Sequence, residues 1–358
     1  MAYTTIDDPS IYFNTVLYTG NGSTGHAITG VNHQPDIVWI KNRDAGNALS
    51  FHDSARGVTK RMIANTNAAE DTTDPFTSFD SDGFTLNSTG GGVNGNTENY
   101  VSWNFKESAD AGIDIVLWTG NGSARTISHS LSAVPSFMTT FCRSTGYHHA
   151  TYHHKNTSAP ETEILYLNLE NVSSDDSSFW NDTAPTSSVF SVGTDNSVNQ
   201  SSETYVGYLF SEKKGFSKFG GYVGSGNADG PFIYTGFRPQ FVIIKKVDGS
   251  PVRGWVMEDT KRSLFNGMTR NNKIEAAADS TSTGDAKDFL SNGFKLHDIT
   301  GDWFNASGTN YIYIAFAESP SLTKSGEAPS YITSTSVKVH LLFEVVKLVK
   351  GVKQVTKT

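Results

Sequence analysis

Three stretches of the chain combine β-branched and aromatic residues, and each begins just behind a proline. These stretches span residues 36–41, 136–141 and 240–245. A proline at the start of a strand costs no ladder hydrogen bond, so each stretch predicts a strand that begins there. Three later stretches alternate along the chain and predict further strands: 100–105, 205–210 and 311–316. Positions 100, 103 and 105 of the first correspond to 205, 208 and 210, and to 311, 314 and 316.

These strands belong to an internal repeat with three copies. Each copy opens on an aromatic residue, any residue, a glycine, Asn or Ser, and a second glycine, at residues 18–22, 118–122 and 222–226. A proline follows the first of these glycines by 15 positions in every copy, at Pro35, Pro135 and Pro239. The Asp-Gly and Asn-Gly pairs at 82–83 and 292–293 predict tight hairpin turns in the first and third copies.

We therefore expect a mainly β protein with three tandem antiparallel β-sandwich or jelly-roll-like domains. The predicted boundaries are an N-terminal arm at 1–14, repeats at 15–106, 113–211 and 216–320, and a linker with a C-terminal β-rich docking segment at 321–358. Because the joints between the repeats are short, we expect the repeats to be packed together, in a row or around a pseudo-threefold axis. Short helices are possible at 53–64 and 273–278.

Composition and charge argue against several classes of function. The chain has 28 basic and 36 acidic residues, a net charge of -8, which argues against general nucleic-acid binding. The single cysteine, Cys142, cannot close an intrachain disulfide, and no Cys/His spacing typical of zinc occurs. No apolar stretch is long enough to span a membrane, and the N-terminal residues lack the pattern of an export signal. We predict no cofactor and no metal.

No catalytic motif is present in the sequence, such as a nucleophile elbow, a zinc-protease helix or a phosphate-binding loop. Paired carboxylates that in principle suit glycoside hydrolysis are Asp44 with Asp53, Asp80 with Asp82, and Glu258 with Asp259. The Asp80 and Asp82 pair lies in a predicted turn, where aspartate is favoured for its own backbone hydrogen bonds. We therefore predict no enzymatic activity, and a polysaccharide depolymerase is the least favoured function.

The C-terminal segment differs from the repeats. It alternates apolar residues with lysines, and five lysines against Glu344 give residues 331–358 a charge of +4, which leaves -12 on the preceding 330 residues. Such a segment is typical of a strand added to a partner's sheet edge, although it equally fits a hairpin folded back on the third repeat. The predicted docking residues are Val337, Val339, Leu341, Phe343, Val345, Lys347 and Lys350.

The second repeat contains four of the ten histidines in a stretch of seven residues, 148–154. On a strand, His149 and His153 point to one face but lie too far apart to converge on one metal ion. For this stretch we favour a solvated surface. A role in recognition or packing is the second possibility, and metal binding is the least favoured. Tyr147, His149 and His153 are the candidate ligand-binding residues of this stretch, and protonation near about pH 6 would alter any interface that contains them.

Two aromatic segments with amide or acidic neighbours are candidates for carbohydrate contact, because an aromatic ring packs on a sugar face and polar side chains bind its hydroxyls. The alternative is that these tryptophans cover the cores of their own repeats. The candidate residues are Trp180, Asn181 and Asp182 in the second repeat, and Trp303 and Asn305 in the third.

Taken together, several motifs resemble a repeated domain found in structural proteins of tailed bacteriophages, especially marine ones. In the first repeat the resemblance includes Tyr18–Gly22, Ile28–Gly30, Gln34–Asp36, Val38–Asp44, the turn at Ser78–Leu86, and the closing strand with Tyr100, Val101 and Trp103. The third repeat matches more loosely, and the second keeps mainly its opening and closing strands. The resemblance covers most of residues 15–318.

The resemblance implies a virion component with a β-sandwich fold, assembled in the host cytoplasm, and brings no catalytic motif. We expect a non-enzymatic fibre, tail or capsid-surface protein that oligomerises in the particle and contacts other virion proteins through its C-terminal segment. The alternative is an adhesin whose loops bind a host-surface glycan.

Overall fold

The computed structural model describes residues 4–72, 76–262, 270–273, 280–281, 287–297 and 302–318. Within these residues the fold is mainly β, as the sequence predicts, and every sheet pairs its strands antiparallel. Among these residues, helical structure is limited to single turns at Ser177–Trp180 (α1) and Asn196–Asn199 (α2), and to 3-10 turns at Pro9–Ile11 and Pro160–Thr162. An aspartate side chain caps the first backbone amides of both α-helices, Asp176 for α1 and Asp195 for α2.

The first repeat forms two sheets. Its strands are β1 (Phe13–Thr19), β2 (His26–Thr29), β3 (Ile37–Asn42), β4 (Ser50–Asp53), β5 (Met62–Ile63), β6 (Phe76–Asp80), β7 (Gly83–Leu86) and β8 (Asn99–Phe105). The large sheet has the order β1-β8-β3-β4-β5, and the small one has the order β2-β7-β6. The prediction of a short helix at 53–64 is wrong. This segment leaves β4 through turns, with Gly57 at a φ of 97° that a helix does not accommodate, and ends in β5.

The second and third repeats follow the same order. The second contains β9 (Ile113–Thr119), β10 (Arg125–Ser128), β11 (Phe137–Cys142), β12 (Ala150–His153), β13 (Glu163–Tyr166), β14 (Ser174–Asp175), β15 (Val189–Val192) and β16 (Thr204–Phe210). The third contains β17 (Ser217–Val223), β18 (Phe232–Tyr234), β19 (Pro239–Lys246), β20 (Trp255–Asp259), β21 (Arg270–Lys273), β22 (Ser280–Thr281), β23 (Lys287–Leu290), β24 (Gly293–Leu296) and β25 (Asn310–Ala317). Their large sheets are ordered β9-β16-β11-β12-β13-β14 and β17-β25-β19-β20-β21-β22, and the small sheets pair β10 with β15 and β18-β24-β23.

One face of each large sheet packs against the small sheet of the same repeat. In the first repeat this private core contains Val38 and Ile40 from the large sheet and Phe84 and Leu86 from the small one. Equivalent cores surround Phe190 in the second repeat and Phe294 in the third. Each repeat is thus a sandwich of two unequal sheets.

The opposite faces of the three large sheets meet in one common core. The closing strands β8, β16 and β25 contribute Phe105, Phe210 and Phe316, whose ring centroids lie 5.2 to 5.9 Å apart with 69° between each pair of planes. These three equivalent residues surround an approximate threefold axis, so the repeats do not lie in a row. The strands β3, β11 and β19 are buried along their whole length because both of their faces are covered.

The C-terminal docking segment at 321–358 lies outside the described residues. Residues 274–278 of the possible helix at 273–278 also lie outside them. In the part of the chain that the structure describes, no helix is long and apolar enough to cross a membrane.

Candidate functional site

The interface between the first and second repeats contains a ladder of charged groups. Arg56 and Asp53 form an ion pair in which both side chains are fully buried. The hydroxyl of Tyr208, from the second repeat, donates to Asp53 Oδ2 at 2.6 Å and accepts from Arg56 Nη2 at 3.1 Å. Arg56 Nη1 also donates to Glu70 Oε2 at 3.2 Å, and Arg143 of the second repeat donates to both oxygens of Glu70 at 2.8 and 3.1 Å. The buried groups are therefore paired across the interface.

The pKa of Glu70 follows from this ladder. Burial alone raises the pKa of its carboxyl, but the hydrogen bonds and charges of Arg143 and Arg56 outweigh burial and lower it. Glu70 therefore remains ionised and holds two arginines from two repeats.

The interface between the third and first repeats contains an equivalent buried arginine–aspartate pair. Arg262 Nε donates to Asp259 Oδ2 at 2.6 Å, and both side chains are fully buried. The first repeat contributes Trp103, at the position equivalent to Tyr208, whose indole N–H donates to Asp259 Oδ2 at 3.2 Å. The guanidinium of Arg262 lies 5.2 Å from the centre of the Trp103 ring, within cation–π range.

At the interface between the second and third repeats, a neutral side chain occupies the position of the buried aspartate. His153 pairs with Phe137 in the sheet register, as Asp53 pairs with Ile37 and Asp259 with Phe241. Its Nε2 donates to the carbonyl of Tyr313 at 3.1 Å, and its Nδ1 accepts from the amide of Lys155 at 3.1 Å. This tautomer, assigned from its partners, is neutral.

Two other histidines of the 148–154 stretch, His149 and His154, also contact neighbouring repeats. His149 Nε2 donates to the carbonyl of Ile63 in the first repeat at 3.0 Å, and His154 Nε2 donates to the carbonyl of Phe219 in the third at 2.9 Å. Burial lowers the pKa of His149 to about 4, and burial with the nearby His154 and Lys155 lowers the pKa of His153 to about 3.

The expected solvated surface is therefore wrong for His149 and His153, which are fully buried. Tyr147 lies half-buried against the private core of the second repeat. Burial makes both histidines inaccessible to a ligand in solution. The two histidines hold the second repeat to its neighbours on both sides, as neutral donors to main-chain carbonyls.

A cleft of about 670 Å³ opens between the second and third repeats. The second repeat contributes Lys155, Asn156, Glu163 and Ser173 to its lining, and the third repeat contributes Tyr222, Asp248 and Asn310 among others. Its volume lies within the range of about 300–1,000 Å³ typical of ligand sites. The sequence gives no signal of this cleft, because its walls come from segments far apart in the chain.

The predicted aromatic site of the second repeat is buried. Trp180 is 1% exposed and packs in the private core, with its ring 6.1 Å from that of Tyr152. Asn181 and Asp182 are exposed, but both have a positive φ, 54° and 46°, and terminate helix α1. Because the Trp180 ring does not reach solvent, it is not available to pack on a sugar, and the alternative of a core role is correct.

The predicted site of the third repeat is also structural. Asn305 is 2% exposed; its Oδ1 accepts from the amide of Ser225 at 2.7 Å, and its Nδ2 donates to the carbonyl of Asn227 at 2.8 Å. Trp303 is half-buried against the private core, with the guanidinium of Arg253 at 5.1 Å from its ring centre. Asn305 therefore fastens the opening loop of its repeat and does not face a ligand.

The same asparagine occurs in the other two repeats. Asn94 Oδ1 accepts from the backbone N–H of Asn21 at 3.0 Å, and Asn199 Oδ1 accepts from the backbone N–H of Asn121 at 3.1 Å. Each asparagine precedes the first tyrosine of the closing strand by six positions and follows an apolar residue. This fixed spacing is the signal in the sequence that identifies these residues.

The carboxylate pairs all take part in structural bonds. Asp44 accepts from the amide of Asn99, Asp82 from that of Asn32, and Asp80 from the hydroxyl of Thr85, each at 2.7 Å. Glu258 accepts from the buried Lys287 at 2.9 Å. Among the described residues, no group of three or more His, Cys, Asp or Glu side chains is arranged to hold a metal ion.

Comparison with known proteins identifies a family. The model of a family described as Domain of unknown function (DUF7483) matches residues 8–320, so the chain belongs to that family. No curated protein and no solved structure matches the chain.

Proposed function

We propose that this member of the DUF7483 family is a non-enzymatic structural protein of a bacteriophage virion, located on the tail, a fibre or the capsid surface. The observation that carries the proposal is the common core in which Phe105, Phe210 and Phe316 meet. A shared core holds three sandwiches in one stiff body, and stiffness suits a component that spaces or displays surfaces on a particle.

The similarity of the repeat motifs to those of phage structural proteins supports the same role. The bonds of the paired carboxylates also support a structural role. The acidic groups that would be needed for hydrolysis already form ion pairs or hydrogen bonds within the fold. Asp53 and Asp259 are fully buried in ion pairs with Arg56 and Arg262, so neither has a free approach to a substrate.

Residues 331–358 are proposed to anchor this body to another virion protein. Their charge of +4 is opposite to that of the acidic residues that precede them, and their alternating apolar positions suit pairing with a sheet edge on the partner. We propose that the attached chain forms part of a larger assembly.

The experiment is complementation of a phage that lacks this gene, with particles purified and analysed by mass spectrometry. The full chain is expected in the particles. A chain that stops after residue 320 is expected to be soluble in the lysate but absent from the particles, whereas a full chain with the exposed Val134→Ser change is incorporated normally. If the full chain itself is absent from purified particles, the virion role is wrong; if the truncated chain is incorporated normally, the anchoring role is wrong.

A further inference from the structure

Strand β17 lies at one edge of the large sheet of the third repeat, next to β25. In an antiparallel pair, the backbone groups of successive residues point alternately towards the partner strand and away from it. The N–H of Gly224, directly after β17, donates at 2.9 Å to the carbonyl of Thr309, which directly precedes β25. The N–H and C=O groups of Phe219, Gly221 and Val223 therefore point away from β25.

The first part of this outer edge is covered by other parts of the chain. The N–H of Phe219 donates to Glu212 Oε2 at 3.4 Å, and its C=O accepts from His154 Nε2 of the second repeat at 2.9 Å. Gly221 and Val223 are exposed, and no group in the described part of the chain pairs with their outward N–H and C=O groups. Four backbone groups of a regular strand are therefore available to a partner.

These four groups border the cleft between the second and third repeats, because Gly221 and Val223 both line it. Strand β17 pairs with β25 without a register shift, and residues 219–223 include neither a proline nor a charged residue. Natural edge strands are usually protected by such residues or by a bulge. This edge therefore has the properties of a strand acceptor.

The residue at position 221 also suits the approach of another backbone. Gly221 is the fifth residue of β17, and the fifth residues of β1 and β9 are Leu17 and Leu117, which are 39% and 43% exposed. A glycine within a strand is typical of a place where another backbone comes close. In the third repeat, no side chain occupies this position of the edge.

A free strand edge is recognised by another extended strand, so the ligand is a polypeptide segment. The chain contains such a segment at 331–358, where apolar residues alternate with lysines and the charge is +4. The cleft lining includes the carboxylates of Glu163 and Asp248 beside Lys155, so the charges of these three groups sum to -1. The segment and the cleft are therefore complementary in charge as well as in backbone hydrogen bonding.

The position where the chain leaves the third repeat favours a segment from a second copy. Asn310, at the start of β25, lines the cleft, whereas β25 ends at Ala317, about 24 Å further along the sheet. A segment of the same chain would have to return along the whole sheet to reach the cleft, whereas a segment from a neighbouring copy would not.

We propose that residues 331–358 of one copy add a strand to β17 of a second copy, within the cleft. This inference rests on the proposed function, which takes the segment as a strand donor, and it names the partner as another copy of the same chain. A donor and an acceptor at different places on one chain give a head-to-tail contact, which closes into a ring or continues as a filament. Either form suits a protein that is repeated on a particle.

The test is sedimentation velocity of the full chain over a range of concentrations, in which the wild-type chain is expected to associate. Val223→Pro removes an N–H that points outwards, so it breaks no bond to β25, and it should weaken association at least about fivefold. Thr19→Pro is the matched control, because Thr19 has the same place in β1 as Val223 has in β17 and lies outside the cleft. Its association should equal that of the wild type.

A second variant, Val223→Lys, covers the case in which Val223→Pro does not fold. Val223 is 55% exposed, so the fold accommodates a lysine there, and a lysine on an edge deters strand addition. The origin of the added strand is measured with a benzophenone amino acid in place of Val339, in a mixture of unlabelled and 15N-labelled copies. Crosslinks between unlabelled and labelled copies, at residues 155–163 or 221–223, are expected.

A wild-type chain that stays monomeric overturns the proposal. Association that is unchanged in a folded Val223 variant also overturns it, as do crosslinks confined to single copies. If particles incorporate Val223→Pro normally but still require residues 331–358, and the chain does not self-associate, the segment pairs with a different virion protein and this inference alone fails. Absence of the full chain from particles would instead refute the virion role, while sedimentation would still decide whether copies pair through β17.

Discussion

The ring of Phe105 lies 5.8 Å from the ring of Phe210, with 69° between their planes, although the two residues belong to different repeats. Phe316 completes the set at 5.2 Å from Phe105 and 5.9 Å from Phe210. Edge-to-face contacts of this kind stabilise an aromatic core beyond the area they bury. The three repeats consequently depend on each other through residues at the ends of their closing strands.

Phe210→Ala should lower the free energy of unfolding by about 3–5 kcal/mol, because it leaves a cavity in the common core. Urea titration followed by tryptophan fluorescence measures this change. Phe232→Ala, at a side chain that is 43% exposed, is the control and should cost about 1 kcal/mol or less. A loss as small as that of the control would mean that the common core contributes little to stability.

Arg56→Met should cost about 3–5 kcal/mol, because it leaves the buried carboxylate of Asp53 without its cation. Lys60→Met provides the comparison: Lys60 also approaches Glu70, at 3.7 Å, but its side chain is 30% exposed, and the expected cost is below about 1 kcal/mol. Thermal unfolding of both variants at the same pH separates the two cases. Equal losses would contradict the assignment of the buried pair as the main electrostatic contact of this interface.

Stability should fall on mild acidification because of His149 and His153. Their pKa values in the fold are lowered to about 4 and about 3, while an unfolded histidine titrates near about 6.5. The unfolded chain therefore binds more protons as the pH falls below about 6.5, and the stabilisation that is complete above that pH is progressively lost towards the folded pKa values. Each histidine should account for a loss of about 2 kcal/mol by pH 5.

Urea titrations between pH 7.5 and 5.0 measure this dependence. His153→Gln should reduce the slope of the free energy of unfolding against pH, and Val134→Ser should leave the wild-type slope. An unchanged slope in His153→Gln would show that this histidine is not kept neutral by its interface.

Asn199→Ala should cost about 1–3 kcal/mol, because it removes the partners of the Asn121 amide and the Ser123 carbonyl in the opening loop. Asn181→Gly is the matched control: Asn181 is exposed with a φ of 54°, which glycine adopts without strain, so little change is expected. Melting temperatures of both variants, measured side by side, check the prediction. A neutral Asn199→Ala would contradict the fastening role of the repeated asparagine.

The strands were predictable because their signals are local. Prolines at fixed spacing and repeated aromatic positions identify equivalent strands without knowledge of their partners. The common core was harder to predict, yet Ile37–Asn42 lacks a clear alternation, and such a run is typical of a strand covered on both faces. The segment 53–64 was misjudged because its turns are determined by tertiary contacts of Asp53 and Arg56, which a local pattern does not contain.

The site depended on relationships between repeats and was mostly beyond sequence reasoning. Four histidines close together looked like a polar surface, because only the packing of repeats shows that His149 and His153 are enclosed. The cleft is lined by segments as far apart in the chain as Ser173 and Val247, which only the packing of the repeats brings together.

The most direct measurement is the location of the chain on intact particles by cryo-electron microscopy, with residues 331–358 traced into their surroundings. We predict density for the three-repeat body on the outside of the particle, with this segment paired to another virion protein. Absence of the chain from mature particles would contradict the virion role, and a segment folded back on the third repeat would contradict the proposed anchor.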